Sequence, residues 1–243
     1  MKVSNFYDES ANHPCLRYFI INTKNYAEAS GREILRLVEM IQRISAKRKF
    51  RNRVSIGIAA PAFCISQIHF SFPSLSVYAQ HLDDSEVGSS TGYLVPEIAK
   101  SFGAVGSLLN HSEHRLPPEV VATLVTRLTK IGLESLVCAK DHNEIGILGK
   151  LGANYIAVEP PDLIGSGKAV STSMPELLVK SKEALEKITS SKRPIFLCGA
   201  GIVSSEDVVK AVDLGAQGIL VASGVVKAAN WSDAIESLAL GLI

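Results

Sequence analysis

The 243-residue chain has almost no net charge: 25 basic residues face 24 acidic ones, leaving +1 at pH 7. Such a balance gives no basic footprint for nucleic acid and no polybasic stretch for a membrane surface, so neither partner is expected. An anionic ligand would have to be held by local groups. Aromatic residues are scarce, at 6% against 47% hydrophobic overall. The core is therefore expected to come from Val, Ile, Leu and Ala, the side chains that parallel strands covered on both faces require. The four cysteines (Cys15, Cys64, Cys138 and Cys198) show no CxxC spacing. They read as free thiols of a reducing compartment. No run approaches the roughly 18 apolar residues of a membrane span. The polar start, Met1 to Pro14 with Asp8 and Glu9, lacks the apolar core of a signal peptide. A cytoplasmic protein is expected.

The chain also lacks an internal linker, a low-complexity stretch and a GxGxxG opening a helix after the first apolar run. It has instead a regular alternation. Eight short apolar runs bounded by turn signals read as strands: Arg17–Lys24, Val54–Ala59, Leu75–Gln80, Ala104–Asn110, Leu133–Ala139, Asn154–Glu159, Pro194–Cys198 and Gln217–Ala222. Segments of helical period lie between them. The clearest is Arg32–Lys47, with Ile34, Leu35, Val38, Ile41 and Ile44 on one stripe. Gly103, Gly132, Gly152 and Gly215 each follow a helical segment and precede an apolar run. Glycine there fits the left-handed residue after a helix C-terminus. Repeated βα units joined by right-handed crossovers account for that recurrence more economically than four independent turns.

Such units form either an open doubly wound sheet or a closed barrel. Polar residues at the C-terminal ends of several strands favour closure, because a barrel gathers those ends into one mouth. The length suits one barrel of about 250 residues. The α/β prediction is a single (β/α)8 barrel over residues 17–243, preceded by an N-terminal tail over residues 1–16.

Five strand ends carry chemistry. Asn22 and Lys24 share the parity of Ile20, so alternation along the strand would point both into the mouth. There Lys24 offers a cation to a phosphate or an oxyanion. Taken singly, the pair also reads as a turn-forming asparagine and a surface lysine. The fourth strand delivers His111, with Ser112 and Glu113 suited to start a helix. His111 and His114 have no third clustered ligand beside them, so no metal site is expected. The sixth strand delivers Glu159, a poorly hydrated carboxylate suited to general-base work. Pro160, Pro161, Asp162, Leu163, Ile164, Gly165, Ser166, Gly167 and Lys168 follow, with a stiff entry and a glycine-rich exit that describe a lid. The alternative is a merely structural loop. After strands seven and eight, Cys198–Gly201 and Val221–Gly224 supply the small residues and free amides of a barrel phosphate site. His13, His69, His81 and His142 read as surface or packing residues, and Cys138 and Cys198 as small buried side chains.

Asn22-Thr23-Lys24, Asn110-His111-Ser112-Glu113 and Glu159-Pro160 leading into Ile164-Gly165-Ser166-Gly167 resemble the triosephosphate isomerase family, and the match runs from Tyr18 to the C-terminal region. The resemblance implies cofactor-free interconversion of dihydroxyacetone phosphate and D-glyceraldehyde 3-phosphate, in glycolysis and gluconeogenesis. It implies Glu159 as the base that forms an enediolate and His111 as the imidazole that polarises the carbonyl. Lys24 would stabilise oxyanion and phosphate charge, Asn22 would position the substrate, and Glu113 would support the site from behind. Ile164, Gly165, Gly199, Gly201, Ala222 and Ser223 would hold the phosphate. Closure of Pro160–Lys168 would exclude water and suppress phosphate loss.

The lid entry Pro160-Pro161-Asp162, the seventh loop Cys198-Gly199-Ala200-Gly201, the end Ala222-Ser223-Gly224 and the short stretch around His142–Leu151 depart from the commoner bacterial and eukaryotic pattern. They resemble its archaeal branch, and the usual tyrosine and serine lid latch is missing. Leu82–Gly92, with Thr91 and Gly92 best matched, resembles the loop that reaches a neighbouring subunit, so a homodimer or homotetramer is implied. The alternatives are another phosphosugar isomerase or lyase on the same barrel, and a non-catalytic phosphate-binding homologue.

Overall fold

The last strand pairs with the first, and that pairing closes the sheet. In the computed structural model, which describes residues 16–163, 169–189 and 193–243, the strands are β1 (Arg17–Asn22), β2 (Val54–Ala60), β3 (Ser76–Ala79), β4 (Gly106–Leu109), β5 (Glu134–Ala139), β6 (Tyr155–Val158), β7 (Ile195–Gly199) and β8 (Gly218–Val221). All neighbours are parallel and in chain order, with Ile20 opposite both Gly57 of β2 and Leu220 of β8. Residues 1–15 of the expected tail lie outside the described residues.

Strand alternation divides the core in two. Ile20, Ala59, Leu108, Leu136, Ala157, Leu197 and Leu220 fill the barrel interior. The opposite parity (Phe19, Ile21, Ile58, Val77, Val137, Ile156 and Ile219) packs outward against the apolar stripes of the helices. One such helix runs Glu33–Ser45, shorter at both ends than the sequence suggested. It buries Ile34, Leu37, Val38, Ile41 and Ile44, while Leu35 is only partly covered. Leu37 belongs on that stripe because it lies three residues after Ile34 and four before Ile41.

The interior is less purely aliphatic than the composition implied. Tyr18, Tyr78 and Tyr155 meet edge to face at the N-terminal end of the barrel. The Tyr78 hydroxyl donates to the Glu134 carboxylate. A tyrosine can be buried at so little cost only when its hydroxyl finds such a partner.

Gly103, Gly132, Gly152 and Gly215 all have positive φ, between 73° and 105°. The recurrence in the sequence was thus the repeated exit from helix to strand. The observed strands are mostly shorter than the apolar runs, trimmed by one or two residues at either end; at the C-terminal ends of β1 and β4 the residues that leave the ladder form the mouth. Lys24 and Asn110 leave it with φ of 46° and 60°. No helix begins at Ser112. The next one starts at Pro118, where consecutive prolines preset the first turn. Among the described residues, no helix is long and apolar enough to cross a membrane.

Candidate active site

β1 ends at Asn22, which is 4% exposed. The chain then turns through Thr23 into left-handed Lys24, whose N–H donates to Asn22 Oδ1 at 3.0 Å. Strand alternation therefore does not aim Lys24; this turn does. The Lys24 ammonium stands 2.7 Å from Glu113 Oε1, with its side chain only 13% exposed. The structure brings Asn22 and Lys24 to one cavity, as the sequence suggested, by another local geometry.

β4 hands over to Asn110, whose amide donates to Cys138 O and whose Oδ1 accepts from Leu116 N–H, each at 2.9 Å. Arg115 donates to Asn110 O and pairs with Glu144. These ties fix the backbone on either side of His111. The buried His111 ring accepts a hydrogen bond at Nδ1 from Glu113 N–H at 3.2 Å. An accepting Nδ1 assigns the proton of a neutral imidazole to Nε2. That nitrogen faces Glu159 Oε1 at 3.6 Å. Glu113 supports the site twice, by its backbone at His111 and by its carboxylate at Lys24.

Glu159 follows β6 and is 6% exposed. Its second oxygen, Oε2, is buried with no hydrogen-bond partner among the described residues. A buried carboxylate oxygen without such a partner is costly, and groups of this kind cluster at functional sites. Beneath it lies Gly199: a Cβ there would stand 2.6 Å from Glu159 Cγ. Gly199 thus makes room for the Glu159 side chain and does not line the cavity. Cys138 is also fully buried; burial first, and then the Glu159 charge, pushes its thiol up. Burial does the same to Cys198. Neither thiol is activated as a nucleophile.

The remaining wall comes from the ends of β7 and β8. Ala200 and Gly201 are consecutive left-handed residues, with φ of 76° and 72°. Successive amides in such a stretch can face one anion. Ala222 and Ser223 line the same cavity, and Gly224 packs so tightly that a Cβ would come 2.3 Å from Ile202 O. The cavity thus brings together Asn22, Lys24, His111, Glu159, Gly201, Ala222 and Ser223. Tyr26 and Ile202 also line it, and nothing in the sequence singled them out. Glu113 and His114 line an adjoining groove, where His114 stacks on His81 at 3.8 Å between ring centroids.

Of the lid, Pro160 is buried and Pro161–Leu163 form one 3₁₀ turn. Ile164, Gly165, Ser166, Gly167 and Lys168 lie outside the described residues. The chain re-enters at Ala169, and Val170 N–H donates to Ala200 O at 3.4 Å. The Ser171 and Thr172 hydroxyls donate to Asp207 O and Oδ1, at 2.9 and 3.3 Å.

Fold and mouth together define a (β/α)8 barrel of the acid–base class: a carboxylate, an imidazole and an ammonium surround one cavity walled by the loops after β7 and β8. The sequence model described as triosephosphate isomerase matches residues 17–238, and the chain belongs to the triosephosphate isomerase family. The triosephosphate isomerase of Cenarchaeum symbiosum is 46% identical over 220 residues, covering 90% of this chain and 95% of that protein. That of Archaeoglobus fulgidus is 41% identical over 224 residues, covering 92% and 97%. These archaeal relatives agree with the resemblance to the archaeal branch. A crystal structure of triosephosphate isomerase from Bartonella henselae aligns with a TM-score of 0.69 at 18% identity, covering 91% of this chain and 98% of that one, and so shares the fold.

Proposed function

We propose that this protein interconverts dihydroxyacetone phosphate and D-glyceraldehyde 3-phosphate, without a cofactor, and serves glycolysis and gluconeogenesis in the cytoplasm. Glu159 takes the proton from the carbon beside the carbonyl. His111 donates from Nε2 to the carbonyl oxygen, so charge building on the enediolate meets a hydrogen bond as it forms. The Lys24 ammonium stabilises that oxyanion and the phosphate, and Asn22 helps to place the substrate. Amides of Gly201, Ala222 and Ser223 hold the phosphate, with those of Ile164 and Gly165 on the lid.

The observation that carries this reading is the approach of His111 Nε2 to Glu159 Oε1, 3.6 Å apart on one wall of a cavity shared with Lys24. Pure binding of a phosphate needs no base beside an electrophile. A coupled assay on D-glyceraldehyde 3-phosphate tests the proposal. Absence of turnover from folded protein would refute it.

The protein works as a homodimer or homotetramer. Supporting this, Phe63 is 96% exposed beside the groove that runs from Lys24 to Gly92, and Val87 and Tyr93 stand more than half exposed on and beside the polar loop. Apolar side chains gathered at such a rim suit a second copy of the chain.

A further inference from the structure

Lys24 is held in a backbone conformation that lysine rarely adopts, φ 46°, and the residue that holds it lies two strands away. Gln80 follows β3. Its side-chain nitrogen lies 2.9 Å from Lys24 O, 3.3 Å from Thr23 Oγ1, 3.4 Å from Asn22 Oδ1 and 3.4 Å from Ala59 O. One amide group thus faces four oxygens, all within or beside the turn that lifts Lys24 out of β1. The shortest of these contacts is to the Lys24 carbonyl itself, which the Thr23 hydroxyl reaches only at 3.4 Å. Asn22 Oδ1 is shared between Lys24 N–H and the Gln80 amide.

We propose that Gln80 is a positioning residue for this reaction: its amide pins the Asn22–Lys24 turn and so aims the Lys24 ammonium into the cavity. This rests on the isomerase reading above. Gln80 lines the same groove as His111, but the hydrogen bonds of its side-chain nitrogen go to Asn22, Thr23, Lys24 and Ala59, so it acts through the turn. The geometry requires donors, because every neighbour of the Gln80 nitrogen is an acceptor. It also requires this length, since the side chain spans from β3 past β2 to the turn after β1. The titratable groups on the same wall are Lys24, Tyr26, His81, His111, Glu113 and His114, with Asp83 hydrogen-bonded to His81.

The experiment compares the full-length wild type with Gln80→Glu and Gln80→Met, measuring kcat and KM from about pH 5.5 to about pH 8, together with Tm. Near pH 8 the glutamate keeps the shape but sets a carboxylate among four oxygens. A loss of roughly tenfold or more in kcat/KM is expected there, mostly as raised KM, because Lys24 grips charge in both ground and transition states. As pH falls the new carboxyl gains a proton, and its O–H can again donate to Lys24 O. The ratio of Gln80→Glu to wild type should then climb towards one, since the other titrating groups are common to both proteins. Gln80→Met has no donor at any pH, so its ratio should stay low and flat. Should Gln80→Glu fail to fold, Gln80→Met carries the test through its KM-weighted loss. Two results would overturn the role: variants within about twofold of wild type throughout, or a pH-independent deficit in Gln80→Glu that merely follows its Tm. If the wild type itself turns over no triose phosphate, the isomerase reading fails and the positioning role falls with it. If the wild type is active and the variants match it, only the role of Gln80 fails.

Discussion

His111 Nε2 and Glu159 Oε1 stand 3.6 Å apart, each on a side chain less than a tenth exposed. Nδ1 of the same ring accepts from Glu113 N–H, so in a neutral imidazole the proton sits on Nε2 and faces the carboxylate. An imidazole and a carboxylate held side by side over one cavity suit proton transfer between adjacent carbons, as proposed above.

Removing the charge of Glu159 should separate catalysis from stability. Glu159→Gln is expected to lower kcat by roughly 10²–10⁴-fold, the range for losing a general base. Its Tm should hold or rise, because the substitution neutralises a buried charge whose Oε2 has no hydrogen-bond partner among the described residues. Turnover like that of the wild type would refute the role.

Gly199→Ala should disable the enzyme without touching substrate. The new methyl group would lie 2.6 Å from Glu159 Cγ, so the carboxylate must move. Displacement of about 1 Å costs on the order of 10²-fold in rate, and overpacking costs about 1–3 kcal/mol of stability. Steady-state kinetics and urea unfolding check both. An unchanged kcat would show that Glu159 has freedom to relocate.

The tyrosine floor predicts a loss of stability in alkali. Burial, and then the Glu134 charge, hold Tyr155 protonated, pushing its pKa up to about 12, and they shift Tyr78 in the same direction. Because the native state binds the Tyr155 proton more tightly, its contribution is full below the unfolded value near 10 and is lost as pH rises towards 12. Wild type should therefore lose stability relative to Tyr155→Phe above about pH 10, by at most about 1.4 kcal/mol per pH unit. Urea midpoints that run parallel across that window would count against the shift.

Assembly can be tested at Phe63, whose ring is 96% exposed. Phe63→Glu should shift the protein towards monomer in light scattering, since a charge buried at an interface is strongly unfavourable. A wild type that already scatters as a monomer would defeat the oligomer proposal.

The barrel was legible because the residues that define it act locally. Gly103, Gly132, Gly152 and Gly215 announce left-handed helix exits within their own few residues, whatever lies around them. Glu159 and His111 were legible for a related reason: each directly follows an apolar run, and a parallel barrel sends such positions to one end. Less legible were the contacts between strands that are distant in the chain. That Gly199 lies under Glu159, and that Gln80 grips Lys24, depends on the register of neighbouring strands, which no local pattern states. The aiming of Lys24 was misread as strand alternation because a positive φ at lysine has no sequence signal. The tyrosine floor was hidden by composition, since a few aromatics barely move a percentage yet can occupy one layer.

Among the described residues, Lys24, Asn52, Asn110 and Ala200 are the non-glycine residues with positive φ, and three of them ring the mouth. For protein engineering, this sorts the molecule into two territories. Asn52, exposed before β2 at the other end of the barrel, is open to a relaxing Asn52→Gly exchange. The same exchange at Lys24 would discard the ammonium, and at Asn110 the clasp on the backbone beside His111. Thermal hardening of this scaffold therefore has free play at its base and little latitude at its rim.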